Sequence, residues 1–298
     1  MYAYCVGIPS SRRIERGCWE DDSFRLLTGN QQPDHSRISD FRLVHLDALA
    51  GLVVQELRLC QKAGLVSPGN VALDGTKVKA NASKHKAMSH ERMLKVEAQL
   101  EDEIAALLRK AELIDAQEDA RYGKGKRGDE LPNCQAAVDG DHQIIVAVGV
   151  SNQAADQHHL LPIVERIVAN TGQLPEKLIA DAGYCSTSNI EASEQRGLDA
   201  YLSTSRQSHG KRPRPSRGPA PRDLDAQGRM DRKLRSKAGQ AIYALRKIIA
   251  EPVFGQIKGA RGLDRFLLRG LEKVDGEWTL MAITHNIGKL HRASLAAS

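Results

Sequence analysis

Apolar side chains change their spacing several times along the chain, and each change marks an element. From Ile38 the stretch ISDFRLVHLDALAGLVVQELRLCQKAGL places Phe41, Val44, Leu49, Leu52, Val53 and Leu57 at helical spacing, with Gly64 as the stop. Residues 1–66 therefore predict a helical region, closed by the turn sequence Ser67-Pro68-Gly69-Asn70. VALDGTKVKA then alternates, with Val71 and Leu73 on one face and Ala72 and Asp74 on the other, so a strand carries Asp74. Between His85 and Tyr122 the residues Met93, Val96, Leu100, Ile104, Leu107, Ala111 and Ile114 recur at helical spacing among dense Glu, Lys and Arg. That pattern predicts a long amphipathic helix within an insertion at 85–132, broken by GKGKRGDELP.

The pattern then shortens. CQAAVDGDHQIIVAVGVSN predicts two strands around Asp139-Gly140, a dipeptide suited to a tight hairpin. Asp156 is expected to cap the helix QHHLLPIVERIVANTG, which ends near Gly172. LIADAGYCS at 178–186 is a short apolar strand ending in Asp181, and ASEQRGLDAYLSTS supplies the end of a helix and another strand. Residues 205–239 are Pro-rich and basic with almost nothing to bury, so they predict a loop or linker. Helical spacing returns from Gln240 with Ile242, Leu245, Ile249 and Phe254, and again in WTLMAITHNIGKLH, where His285 and Asn286 are expected to brace the last helix against the sheet. The order β, ββ, α, β, α, β, α predicts an α/β fold, a mixed sheet with helices on its faces.

Charge adds a partner to this picture. The 298 residues carry a formal +6, but residues 1–204 hold 23 basic and 29 acidic side chains, whereas residues 205–298 hold 20 and 8. A local excess of +12 is the footprint of a polyanion, nucleic acid before an anionic membrane. The longest strand-like apolar run, Ile144 to Val150, falls far short of the ~20 residues of a spanning helix, and no secretory leader is visible. Five scattered cysteines without a CxxC pair argue against a disulfide scaffold and a zinc ribbon, and they suit the cytoplasm. An aromatic content of 4% weakens any model of stacking on single strands.

Three acids stand where a structural role alone explains them poorly: Asp74 within an apolar strand, Asp181 at the end of another, and Glu251 inside IIAEPVF. Singly, each is best explained as a salt-bridged or capping acid. Together, beside the basic segment, they point to hard divalent cations, Mg²⁺ or Mn²⁺, since a buried carboxylate is costly unless neutralised. Two such ions about 4 Å apart activate a water or hydroxyl and stabilise the leaving oxygen in phosphodiester cleavage. On a helix Lys247 and Glu251 share a face, with Tyr243 and Lys258 about two turns to either side, a row able to place one metal ligand among phosphate contacts. The plain alternative is a surface i,i+4 pair, which the apolar setting disfavours.

At these residues the sequence resembles bacterial insertion-sequence DDE transposases of the group with a Tyr-Arg-Glu-Lys signature. The blocks are YAYCVGIPSSRRIER and ISDFR, VALDGTKVKANASKHKAMSHERM, QAAVDGDHQIIVAVGVSNQAADQHHL, LIADAGYCS, AEPVFGQIKGARG, FLLRGLEKV and THNIGKL, in order along nearly the whole chain. The resemblance implies a ribonuclease H-like domain over 67–292, with the helical insertion 85–132 and the basic linker 205–239, after a partial DNA-binding region at 1–66. It implies that Asp74, Asp181 and Glu251 bind two metal ions, and that Tyr243, Arg246 or Lys247, and Lys258 contact DNA phosphates. Cleavage at terminal inverted repeats, strand transfer into target DNA, and a homo-oligomer working on DNA at the nucleoid follow from it. Three departures accompany the likeness: a late start at MYAYCVG, GDELP running straight into NCQAAVD, and four residues rather than three between Arg246 and Glu251, a spacing Lys247 fits better. A truncated, internally deleted element is the expectation they imply, with transposition weak or absent. The alternative is an inactive DNA-binding remnant.

Overall fold

A computed structural model describes residues 1–67, 69–79, 133–151, 153, 156–205, 216 and 223–296, with main chain alone at 46, 47 and 50. The helical insertion expected at 85–132 lies wholly outside the described residues. Five strands form one sheet: β1 (Asn70–Lys77), β2 (Asn133–Asp139), β3 (Ile145–Ser151), β4 (Lys177–Ala180) and β5 (Asp199–Leu202), in the order β3-β2-β1-β4-β5. β1, β4 and β5 run parallel, while β2 pairs antiparallel with β1 and β3 antiparallel with β2. The β2–β3 turn closes as its sequence requires. Asp139 Oδ2 accepts the amides of Asp141 and His142 at 3.1 Å each, and Gln143 takes φ +59°.

Helices cover both faces because the strands are apolar on both. In order they are α1 (Tyr2–Cys5), α2 (Ser11–Glu20), α3 (Asp22–Leu27), α4 (His35–Val44), α5 (Leu46–Lys62), α6 (Leu160–Thr171), α7 (Thr187–Gln195), α8 (Ala226–Arg235), α9 (Lys237–Gly255) and α10 (Leu271–Ala296). Val71 and Leu73 pack with Leu57, Ile163, Val164 and Ile167. Ala72, Ala136 and Val138 face the other way, onto Ile249, Val253, Phe254 and Trp278. The strand alternation expected around Asp74 is therefore the division between two core layers.

Two stretches depart from their sequence pattern. The single helix expected from Ile38 breaks at His45, whose φ of −108° and ψ of 23° leave the helical region. α5 docks on α10 and α6, which buries Leu57 and Cys60; α4 packs on α2 instead, leaving Phe41 and Val44 exposed. The second departure is the linker. Its latter part is helical, because Asp225 Oδ1 caps α8 through Gly228 N at 2.8 Å and Ala226 and Met230 reach the core. Ser236 then caps α9 through Gly239 N at 2.9 Å.

Buried polar groups tie the layers together. Asn286 brackets the Ile145 peptide, accepting from its N–H at 2.8 Å and donating to its C=O at 2.9 Å. His285 Nε2 lies 3.0 Å from Gln143 O, so both residues brace α10 as expected. Asn286 also donates to Glu56 Oε2 at 3.1 Å, and the Cys60 thiol donates to Oε1 at 3.0 Å. Burial pushes Glu56 up to about 7, against the opposing effect of those two donors. An acid raised in the folded state contributes stability below its unfolded value near 4.5, and that contribution is lost as pH rises through about 7. Glu56→Gln should therefore gain on the natural protein by on the order of 1–3 kcal/mol between pH 5 and pH 8. Urea unfolding of both proteins at the two pH values checks this; an equal difference at both would rule it out.

Candidate active site

Strand pairing brings the first two acids together. Leu73 of β1 is in register with Ala180 of the parallel β4, so the following residues, Asp74 and Asp181, stand side by side where these strands point the same way. Carboxyl ends of parallel strands are where open α/β sheets bind ligands. Asp181 Oδ1 accepts the Gly183 amide at 2.9 Å and caps a short 3₁₀ turn, Ala182–Tyr184. Asp74 Oδ1 accepts the Gly75 amide at 2.9 Å, and its other oxygen meets Arg246 Nη1 of α9 at 2.9 Å. These two side chains are only 13% and 18% exposed, which separates this ion pair from the surface ones.

Asp74 shows the electrostatic strain of the place. Burial pushes it up to about 6; Arg246 opposes this, while the charges of Asp181 and Glu251 add to it. Burial would lower Arg246, but Asp74, Tyr243, Asp181 and Glu251 outweigh it and hold the guanidinium more firmly charged. Asp181, Glu251 and Arg246 thus all act on Asp74 across β1, β4 and α9.

The third acid is placed differently from its expectation. Glu251 is exposed, because its apolar neighbours Ile249, Ala250, Val253 and Phe254 turn toward the core and leave it on the outer side of α9. Lys247 is exposed too, and the described residues include no ion pair between them. Tyr243 is half-buried on the Arg246 side. Lys258 lies in a π-helical turn, Gln256–Ala260, and donates to Lys77 O at 2.7 Å beside the end of β1.

Two further residues of the site escaped the sequence pattern. Asp156 does not cap α6: a 3₁₀ turn, Asp156–His159, precedes the helix, and His159 occupies the cap position. The Asp156 carboxylate instead accepts the Asn133 side-chain amide through Oδ1. Burial raises Asp156 above the usual carboxylate range, and the charge of Asp181 raises it further. Tyr184 is fully buried, and its hydroxyl has no hydrogen-bond partner among the described residues. Burial raises it most, then the charges of Asp156, Asp181 and Asp74. Asp156 was visible only as a capping acid and Tyr184 only as a residue of LIADAGYCS, since nothing local shows where either side chain points.

Among the described residues no three His, Cys, Asp or Glu side chains are gathered closely enough to hold a metal ion, and Arg246 is the cation that meets Asp74. The donors nonetheless fit hard divalent cations in kind, being carboxylate oxygens alone. Two of these carboxylates also converge: a Cβ on Gly183 would lie 2.7 Å from Asp156 Oδ2 and 3.1 Å from Asp181 Oδ1, so both crowd the same side of this glycine.

A mixed sheet in this order, with acids side by side on two adjacent parallel strands and a third on the helix laid across them, is the ribonuclease H-like α/β fold of DNA-processing enzymes. A family model described as Transposase DDE domain matches residues 68–287, and a second, described as a transposase domain, matches residues 1–43. The chain belongs to the DDE transposase family, whose members act on DNA. No curated protein and no solved structure matches it. Among the described residues no helix is long and apolar enough to cross a membrane.

Proposed function

We propose that this chain is a divalent-metal-dependent DNA transposase that cleaves at the terminal inverted repeats of an insertion sequence and joins the freed ends to target DNA. The observation that carries it is the adjacency of Asp74 and Asp181 on parallel strands, coupled electrostatically to Glu251, inside a transposase DDE domain. Asp74, Asp181 and Glu251 are the residues that would hold Mg²⁺ or Mn²⁺. When bound, such ions activate the attacking water or 3′-hydroxyl and stabilise the leaving oxygen.

The chain's own residues supply the rest. Arg246 has further guanidinium N–H groups beyond the one on Asp74, so it can hold a phosphate beside the acids while keeping Asp74 neutralised. Lys247 is exposed to the solvent from which DNA arrives, Tyr243 flanks Arg246, and Lys258 marks the far rim at the end of β1. The helical region at 1–66, with Arg12, Arg13 and Arg16 exposed on or beside the first turns of α2, is the part that would read the repeats. A homo-oligomer would pair the two element ends.

A second reading, an inactive DNA-binding remnant, is favoured by the exposure of Glu251 and the absence of a gathered triad among the described residues. Incubating the full chain with a duplex bearing the element's own ends and Mg²⁺ separates the two. Nicking at the terminus followed by joined product is expected. Binding that weakens steeply with salt but never leads to nicking would leave only the remnant.

A further inference from the structure

We propose that Asp156 is a fourth carboxylate of the cation site, sharing with Asp181 a divalent cation seated over Gly183. The proposal rests on the metal-dependent reading above and names a ligand that reading lacks. Asp156 is free for the role because α6 does not use it: the helix begins at Leu160, behind a 3₁₀ turn. One of its oxygens is occupied by the Asn133 amide, an outer contact of the kind that orients a metal ligand. The other points to the space above Gly183. A Cβ there would meet Asp156 Oδ2 at 2.7 Å and Asp181 Oδ1 at 3.1 Å, so the two oxygens converge on the same side of this glycine. Gly183 is exposed, so an ion and its water can enter. An ion held by both would stand about 2.0–2.6 Å from each oxygen, beside the glycine.

An independent observation points to the same place. The Tyr184 hydroxyl is fully buried without a hydrogen-bond partner among the described residues, although Asp156, Asp181 and Asp74 all act on it. It lies 3.5 Å from where a Gly75 side chain would begin, directly beside the residue that follows Asp74. Buried polar groups left alone are rare, and a water on an ion held by Asp156 and Asp181 is the partner this hydroxyl lacks. Two carboxylates turned toward one another also repel until a cation stands between them.

The test uses the full chain and Mn²⁺ alone, with bound ion read by electron paramagnetic resonance. Asp156→Asn should raise the dissociation constant by about 10–100-fold, as should Asp181→Asn. Gly183→Ala keeps both acids but presses a methyl against both oxygens, and should weaken binding to a similar degree. Fe²⁺ with ascorbate and peroxide should cut the natural protein's backbone near residues 156 and 183, and this decides the matter should either variant fail to fold. Unchanged Mn²⁺ binding in Asp156→Asn and Gly183→Ala, with loss in Asp181→Asn, would overturn the role of Asp156 and leave the metal site standing. Absence of bound Mn²⁺ in the natural chain would overturn both.

Discussion

Asp181→Asn is expected to lower strand cleavage at the element end by at least about 10³-fold, the upper range for loss of one group that stabilises charge in a transition state. The same variant should keep or raise the thermal midpoint. Asp181 ends β4 beside Asp74, and its charge raises both Asp74 and Asp156, so in the ion-free protein it stands among acids that repel it. Asparagine retains an oxygen for the Gly183 amide that Asp181 caps at 2.9 Å, so the 3₁₀ turn survives. Removing a charge from a strained polar cluster commonly stabilises a protein while ending its activity. Cleavage assays beside thermal melts check the pair of effects. Full cleavage by the variant would remove Asp181 from the metal ligands, and a large fall in melting temperature would show that the acid is structural.

Trp278→Ala should cost about 3–5 kcal/mol of stability, the range for deleting a large buried ring. Trp278 on α10 is fully buried, stacks on Phe254 of α9 with ring centres 6.3 Å apart, and donates from Nε1 to Gln135 O of β2 at 3.0 Å. One side chain thus joins the helix that carries Arg246 and Glu251 to the sheet that carries Asp74. Trp278→Phe keeps most of the packing and loses the hydrogen bond, so it should cost less, by urea unfolding, than alanine. A loss below about 1 kcal/mol for the alanine variant would mean that α10 is not seated as described.

Legibility in the sequence followed the range of the interactions involved. Alternation in VALDGTKVKA places Asp74 on the Ala72 face, and that face is the one α9 covers. Asp139-Gly140 marks the hairpin, and Asn286 in the last helix does bind the sheet. Local pattern misled where a helix's orientation decided the outcome. IIAEPVF looks like a buried setting for Glu251, yet on α9 its apolar residues turn inward and the acid turns out. The basic residues of the linker hid a helix whose Ala226 and Met230 reach the core.

By itself the sequence determined the element order, the mixed sheet it implies, the family likeness and the candidacy of Asp74, Asp181 and Glu251. These follow from side-chain periodicity and ordered motifs, which are properties of neighbouring residues. Tertiary structure alone decided that Arg246 rather than Lys247 faces Asp74, that Glu251 lies exposed, and that Asp156 and the Tyr184 hydroxyl lie close to Asp181. The reason is the parallel register of β1 with β4 and the docking of α9 on β1. Both bring together residues more than a hundred positions apart, and no local spacing encodes which of two adjacent side chains will point inward when they meet.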